Sequence, residues 1–435
     1  MKDTYDAIVV GAGPAGCAAA YTLAAGGVSV ALLERGSKPG SKNMFGGTIY
    51  RIPTEEIIPG FWQKAPLERA VISDQLWIME QDSAVNIGFT GLKYSIPPYN
   101  KFTAIRTDFD SWFAQQAVKV GARLYTKALV KELLYEKKLL GKGPINGVKM
   151  DTGDKLYANC VILCEGVNAF LTKQAGLRSK IPPHAMTLYC KEVLELPGHI
   201  IEERFNLEKG LGAIMGMVGY PTAGAVGKGG IWTNKNSLSL MVGGYLDQLA
   251  QKKLSPYILL QRLKQHPLVR KLIQGAKVIE YQAHMIPKGG YHFIPNLYSD
   301  GLLVAGDAAV MISGRRGTDL AMLSGKYAAE AVIAAKAKED FSAETLRSYQ
   351  VKLNNTFFMK DIKSSRNVLD YYKDHPDSDF LMSKFINDAA YHYFTTGMQS
   401  EKKVLDNITK ELTILQLPLK SIKDIYAGLK YWGVF

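Results

Sequence analysis

Two short apolar runs, Tyr5 to Val10 and Val28 to Leu33, flank a segment built mostly from glycine and alanine. Apolar runs of this length, bounded by turn formers, are the pattern of strands buried on both faces. Between them, Gly11-Ala12-Gly13-Pro14-Ala15-Gly16 reads as a tight turn and Cys17 to Ala25 as a helix. Residues 51–101 read as short strands and turns. A helix is expected from Arg106 to Val120, capped by Thr107 or Asp108 and stopped by Gly121. Val130 to Val161 reads as a meander, Val226 to Tyr245 as antiparallel strands, and Pro256 to Gln274 as one amphipathic helix with basic residues toward its end. Leu302 to Ala309 reads as a strand running through Gly306-Asp307 into a helix. A second glycine-led helix, rich in small residues, is expected from Gly317. From Ser342 onward the pattern is helical, with many lysines and aromatic residues.

The N-terminal pattern is strand, glycine turn, helix, strand, acid, which is the whole βαβ dinucleotide unit. Gly11 permits the turn, Gly13 lets a pyrophosphate approach the backbone, and Gly16 lets helix and strand pack closely. The helix N-terminus offers free N–H groups and its positive dipole end to phosphates. Glu34 lies 18 residues after Gly16, placed to bond a ribose hydroxyl. The late Gly306-Asp307 pair adds an acid after a strand, suited to a ribityl chain, and the Gly317 helix start can aim backbone N–H groups at a flavin edge. Together these elements resemble FAD oxidoreductases of the glutathione-reductase structural class. The expected architecture is α/β: a Rossmann FAD domain (1–60, 100–172, 283–340) interleaved with an antiparallel-sheet substrate domain (61–99, 173–282), then a helical region (341–435) for partner docking. The loop 35–47 is expected to cross near the flavin, where Gly46 and Gly47 allow close approach. Arg106 reads equally as a contact to flavin phosphate or ribityl oxygen and as a surface ion pair.

Composition narrows the chemistry. Of 435 residues, 47% are hydrophobic and 21% charged, the balance of a folded globular chain. The 53 Lys and Arg exceed the 40 Asp and Glu, a net charge of +13. That surplus suits anionic lipid or an acidic protein; no nucleic-acid-binding signature accompanies it. The first strand begins within five residues of Met1, so no secretory signal is expected. The run Leu211 to Val226 has no charge, but its glycines and proline argue against a membrane-spanning helix. It is read as facing lipid or an apolar tail, or as a buried core loop. Four cysteines, at 17, 160, 164 and 190, form no CxxC pair. That spacing excludes an iron–sulfur cluster with ordinary ligation and a redox disulfide in this chain. No metal site and no acid–base catalyst is expected.

Six segments carry a family resemblance: GAGPAG at 11–16, IRTDFDSWFAQQAVKVGA at 105–122, LCEGVNAFL at 163–171, AHMIPKGGYHFIP at 283–295, LLVAGDAA at 302–309 and GTDLAMLSGKYAAEA at 317–331. In this order they resemble the FixC-type electron-transfer-flavoprotein:quinone oxidoreductases. The resemblance implies FAD held by Gly11, Gly13, Pro14, Ala15, Gly16, Glu34, Arg35, Gly46, Gly47, Arg106, Val130, Gly166, Gly306, Asp307, Gly317 and Thr318. It implies a quinone pocket, for menaquinone or ubiquinone, at His284, Gly289, Gly290 and Tyr291. It implies an electron-transferring flavoprotein of α and β subunits as donor, and monotopic attachment to the cytoplasmic face of the cell membrane. Long members of that family carry a cysteine-rich iron–sulfur domain that this chain lacks. FixC-type members supply the cluster on a small ferredoxin-like subunit and are associated with electron bifurcation. Three rival readings remain. A geranylgeranyl-reductase-like prenyl reductase would carry a Tyr-x-Trp-x-Phe-Pro run, which is missing. An aromatic hydroxylase would carry Asp-Gly where this chain has Glu165-Gly166. A flavin-bearing subunit that only scaffolds its partners would need no electron transfer.

Overall fold

The computed structural model describes residues 4–41, 47–138, 141–314 and 316–366, and of the C-terminal stretch 370–371, 374–375, 378–397, 400–415, 420, 423–424 and 426. Two compact units are built from interleaved segments. The first comprises 1–67, 104–181 and 287–366; the second comprises 68–103, 182–286 and 367–435. Residues 61–67 and 173–181 thus belong with the first unit, and His284 with the second. The C-terminal helical stretch is not one region: it divides at 366. Tyr349, on the helix Ala343–Asn354, ties the earlier part to the first unit by donating to the Val304 carbonyl at 3.0 Å.

In the first unit the strand Thr4–Val10 sits between Lys155–Leu163 and Val30–Leu33, all parallel. Leu302–Val304 extends the sheet beyond Lys155–Leu163, and Arg123–Tyr125 beyond Val30–Leu33. Val9 faces Ile162 on one side and Leu32 on the other. The central stretches of these strands, residues 7–10, Val30–Leu33, residues 160–163 and Leu302–Val304, are apolar and buried, as a parallel sheet covered by helices requires. The strands Val130–Lys137 and Lys142–Met150 join Lys155–Leu163 as an antiparallel meander. The helix Pro14–Ala25 buries Ala15, Gly16, Cys17, Ala18, Ala19, Ala20 and Leu23. Such small side chains bring its backbone close to its neighbours. A Cβ at Gly16 would lie 1.8 Å from the Gly11 carbonyl oxygen, and one at Gly325 would lie 2.0 Å from the Ala15 carbonyl oxygen. Gly325 is on the helix Thr318–Ala337, so these two helices meet backbone to backbone.

The second unit is a mixed sheet in the order Lys277–Pro287, Met186–Glu195, Ser237–Tyr245, Gly227–Thr233, Leu211–Gly219, Ala70–Met79. Leu211–Gly219 pairs antiparallel with Gly227–Thr233 and parallel with Ala70–Met79. The charge-free run 211–226 is therefore an inner strand and the turn after it. Ala213, Met215 and Met217 sit in the core cluster of this unit, not against lipid. The pivot of the unit is Arg69, which is buried. Its guanidinium donates to the carbonyls of Asn234, Leu211, Gly198 and Lys235 and to Glu202 Oε1, over 2.6–3.3 Å. Five acceptors offset the desolvation of that charge. The expected helix from Pro256 is two helices, Pro256–Gln265 and Pro267–Ile273. Proline at 267 drives the residue before it out of the α region, and His266 has ψ 131. His266 is buried; its Nδ1 accepts from the Leu268 N–H at 3.3 Å, and its other nitrogen bonds the Glu80 carbonyl at 2.8 Å.

Two outcomes follow. Gly325→Ala should cost about 1–3 kcal/mol of stability, because the close helix contact has no room for a methyl group; an unchanged urea midpoint would overturn this. The His266 ring must be neutral to accept at Nδ1, and burial lowers its pKa below the ordinary 6.5. Its contribution is therefore present above pH 6.5 and lost as pH falls through the depressed folded value. Urea titrations from pH 8 to pH 5 should show that loss, and His266→Asn should flatten it.

Candidate functional site

The glycine turn is held open by its surroundings. Gly11 has φ +101, and a Cβ there would strike the Cys164 carbonyl at 2.3 Å. The Gly11 N–H donates to the Leu33 carbonyl at 2.7 Å, bringing the turn against the end of the second strand. Gly13 precedes the helix with extended backbone; no side chain caps this N-terminus and no acid sits in its first turn. Pro14 opens the helix and spends no N–H there. The remaining first-turn amides are open to an anion. Glu34 closes the unit: Oε2 accepts from the Ala12 N–H at 3.0 Å and Oε1 from the Gly36 N–H at 2.6 Å. Arg35 lies between these anchors and is exposed.

A second group of residues gathers around the turn Gly306–Ala309. Gly306 has φ +68, and a Cβ there would come within 2.8 Å of the Ala15 Cβ. Its N–H donates to Ser324 Oγ at 2.9 Å, tying the turn to the helix Thr318–Ala337. The Asp307 carboxylate receives no hydrogen bond from the described residues. Burial raises its pKa, against the pull of the Arg106, Arg178 and Lys288 charges. Arg178 is buried and donates Nη1 to the Ala308 carbonyl at 3.1 Å and the Asp307 carbonyl at 3.4 Å. Its buried Nε has no hydrogen-bond partner. Lys288 donates to the Gly314 carbonyl at 2.5 Å.

Arg106 is neither capped nor on the surface. The helix begins at Arg106 itself after Ile105, without the side-chain cap expected from Thr107 or Asp108. The guanidinium folds back one turn onto Asp110, with Nε and Nη2 each 2.8 Å from a carboxylate oxygen. Its Nη1 reaches Thr318 Oγ1 at 3.3 Å, so Arg106 also meets the start of the Gly317-led helix. Burial would lower the Arg106 pKa, but Asp110 reverses this and leaves it raised.

The remaining candidates are less concentrated. Glu165, where hydroxylases carry Asp, accepts from the Leu171 and Thr172 N–H groups at 2.8 Å and from Thr172 Oγ1 at 2.6 Å. It serves the start of the helix Phe170–Gln174. Gly166 has φ +69 with open space where a Cβ would go. Val130 begins the meander strand opposite Met150, and its side chain is in the core cluster beneath. Gly47 accepts through its carbonyl from the Ala104 N–H at 2.9 Å; Gly46 lies outside the described residues. Gly289 packs where a Cβ would meet the Phe293 ring at 2.5 Å, Gly290 has φ +67, and Tyr291 is partly exposed against His292. These three belong to the first unit and His284 to the second, so no single unit assembles all four. Sequence reading missed Arg178: one arginine in a loop has no periodic or motif signal. All four cysteines are free and buried, and burial raises their thiols, Cys160 and Cys190 to about 12.

The residues fit a flavin dinucleotide. The helix start provides free donors for phosphate, and Asp307 is an unengaged acceptor for a hydroxyl. Arg178 Nε is an unengaged donor beside it. Comparison with known proteins agrees. A family model described as FAD dependent oxidoreductase matches residues 6–55, and one described as ETF-QO, ubiquinone-binding matches residues 190–286. Protein FixC of Bradyrhizobium diazoefficiens is 38% identical over 441 residues, covering 99% of this chain and 100% of that protein. The chain belongs to the FixC family. Protein FixC of Azotobacter vinelandii is 42% identical over 85% of each chain. A probable electron transfer flavoprotein-quinone oxidoreductase of Escherichia coli is 38% identical over 84% of this chain and 85% of its own. Among solved structures, a geranylgeranyl bacteriochlorophyll reductase-like protein from Thermoplasma acidophilum superposes with TM-score 0.71 at 17% identity, over 97% of this chain and 99% of that one. The myxobacterial halogenase CndH gives 0.63 at 16%, over 92% and 85%. At these identities the likeness is one of fold: an α/β FAD-dependent oxidoreductase.

The buried Arg106–Asp110 pair gives a direct test. Asp110→Asn keeps the shape but leaves the guanidinium uncompensated, at a cost of about 3 kcal/mol. A drop in thermal midpoint, with a smaller drop for the double variant Arg106→Met with Asp110→Leu, is expected. Equal midpoints for Asp110→Asn and wild type would sink it.

Proposed function

We propose that this FixC-family chain accepts electrons from an electron-transferring flavoprotein and delivers them to membrane quinone. A small ferredoxin-like iron–sulfur subunit is the entry wire, and the assembly is an electron-bifurcating complex at the cytoplasmic face of the cell membrane. The observation that carries this reading is the match of residues 190–286 to a ubiquinone-binding family model, within a chain related to FixC over its whole length. Menaquinone or ubiquinone is the acceptor.

A bound FAD supplies the electron relay; the protein binds, orients and shields it. In this reading Gly11, Gly13, Pro14, Ala15 and Gly16 bring backbone N–H groups to the pyrophosphate. Glu34 takes the adenosine ribose hydroxyls on the lone pairs left by Ala12 and Gly36, with Arg35, Gly46, Gly47 and Val130 around the adenosine half. Asp307, beside Gly306, accepts from a ribityl hydroxyl. Arg106 steadies the start of the helix at Gly317 and Thr318, whose amides face the flavin, and Gly166 leaves backbone space. Arg178 joins this set through its free Nε. His284, Gly289, Gly290 and Tyr291 are the quinone residues. No side chain is needed as a general acid or base. The prenyl-reductase alternative has fold likeness alone behind it, at 17% identity.

The test is anaerobic mixing of the FAD-loaded protein with chemically reduced electron-transferring flavoprotein and a short-chain quinone, with and without the ferredoxin-like subunit. Quinone reduction that depends on this chain, and rises with the small subunit, is expected. Oxidation of NADPH with a prenyl lipid, and no quinone reduction, would overturn the reading. Asp307→Ala should weaken FAD binding about tenfold or more, the loss of a hydrogen bond to a charged acceptor; titration of the apoprotein followed by flavin fluorescence measures it.

A further inference from the structure

The two helix starts of the candidate site differ in one respect. The helix Pro14–Ala25 has no acid in its first turn, whereas the helix Thr318–Ala337 has Asp319 there. Asp319 is 1% exposed. Its Oδ2 accepts from Arg316 Nε at 2.6 Å and lies 2.5 Å from Arg316 Nη2. Its Oδ1 is buried and receives no hydrogen bond from the described residues. A buried carboxylate oxygen left open is costly in a group that only stabilises structure.

Arg316 is held from two sides. Its guanidinium lies 4.6 Å from the centre of the Phe357 ring and 5.4 Å from that of Tyr50. Its backbone exchanges two hydrogen bonds with Ser313, at 2.8 and 2.9 Å. The ion pair is therefore oriented: the anion is inside, and the cation, with 30% of its side chain exposed, is outside. Water screens the outer charge more than the inner one, so the anion dominates the field toward the interior. Burial raises the Asp319 pKa, while Arg316 and the N–H groups of Asp319 and Leu320 favour its charged form. The other charge that reaches this helix start is Arg106, whose Nη1 meets Thr318 Oγ1 at 3.3 Å and which is paired with Asp110.

We propose that the buried Asp319 carboxylate lowers the redox potential of the bound flavin, acting at the start of the helix Thr318–Ala337. The inference rests on the functional reading above, in which that helix start faces the flavin. Two electrons and one proton added to FAD leave one negative charge on the ring. Amide dipoles at a helix start stabilise that charge, and an anion in the same turn opposes it. The electrons come from the donor flavoprotein and leave for quinone. A flavin held lower in potential passes them on with a larger driving force.

The FAD-loaded protein is titrated anaerobically at pH 8 against a reference dye, and the flavin midpoint potential is read from absorbance. Asp319→Asn keeps the shape and removes the charge; Asp319→Glu keeps the charge and crowds the site. Flavin content and thermal midpoint check that each is folded. The Asn variant should favour reduced over oxidised FAD about tenfold more than wild type does, a rise of about 30 mV for a two-electron couple. The Glu variant should stay nearer to wild type. A packing role would give the reverse order, since Asn fits the original space and Glu does not. An Asn potential equal to or below wild type overturns the inference, as does a Glu variant that rises more than the Asn one. If the Glu variant loses FAD, the Asn variant decides alone. The same wild-type preparation is mixed with reduced electron-transferring flavoprotein and a short-chain quinone. Quinone reduction beside an unmoved Asn potential sinks this inference and leaves the functional reading standing. Bound FAD without quinone reduction overturns the functional reading, and the potentials still decide the role of Asp319. Wild type that binds no FAD brings down both.

Discussion

The first unit depends on how little space surrounds Ala15. Its carbonyl lies where a side chain at Gly325 would go, and its methyl group lies where a side chain at Gly306 would go. One residue of the first helix therefore touches both later elements of the candidate site. Gly16 brings the same helix down on the Gly11 carbonyl. Hard backbone contacts have no soft rotamer to absorb error, so the helix start, the Gly306 turn and the Thr318–Ala337 helix are fixed relative to each other. A phosphate-binding helix end and an acid for a polyol are useful together only if their spacing holds to a fraction of an ångström. Small residues at this junction are what set that spacing.

Hydrogen-bond satisfaction separates structural from functional charges. Arg69 and Arg178 are both buried arginines. Arg69 fills its donors with five acceptors drawn from 198–235 of its own unit. Nothing is left over for a ligand, and its work is to join the loops that end the sheet strands. Arg178 donates to two carbonyls and leaves Nε empty. The Asp307 carboxylate next to it is also unengaged. A buried donor left open beside an unengaged, half-buried carboxylate would be costly in a purely structural site. A polyol or phosphate ligand would remove that cost, which supports counting the pair in the proposed cofactor set.

The part of this arrangement legible in the sequence is the part encoded locally. The strand, glycine turn, helix, strand and acid are contiguous, and each residue type has one backbone reason to be there. The Gly306-Asp307 turn could be found the same way. Arg178 could not, because its role arises only when the loop after Phe170–Gln174 returns to the Ala308 carbonyl. The composition of the run 211–226 leaves a lipid-facing segment and a buried core segment equally open, because the two share it; only pairing with Ala70–Met79 and Gly227–Thr233 distinguishes them. The break at His266 was within reach, since Pro267 disfavours a helical residue before it. Periodicity across 256–274 masked that signal. The sequence fits Arg106 equally to a ligand contact and to an ion pair, and the geometry gives it a buried partner, Asp110, plus a contact to Thr318.

Charge balance ties the candidate site to its chemistry. Arg106 is paired with Asp110, the charges of Arg106, Arg178 and Lys288 all act on the Asp307 carboxylate, and Glu165 also acts on Arg178. The positive end of the uncapped Pro14–Ala25 helix is answered by no acid in its first turn. Such a field favours whatever brings negative charge into the site. For a flavin dinucleotide that means the pyrophosphate first, and then the electrons that arrive on the ring. Low dielectric makes each term larger than it would be at the surface. Under the proposed function, a cation that helps hold the cofactor would also act on the charge of the reduced ring, so a change at Arg178 or Lys288 would move both.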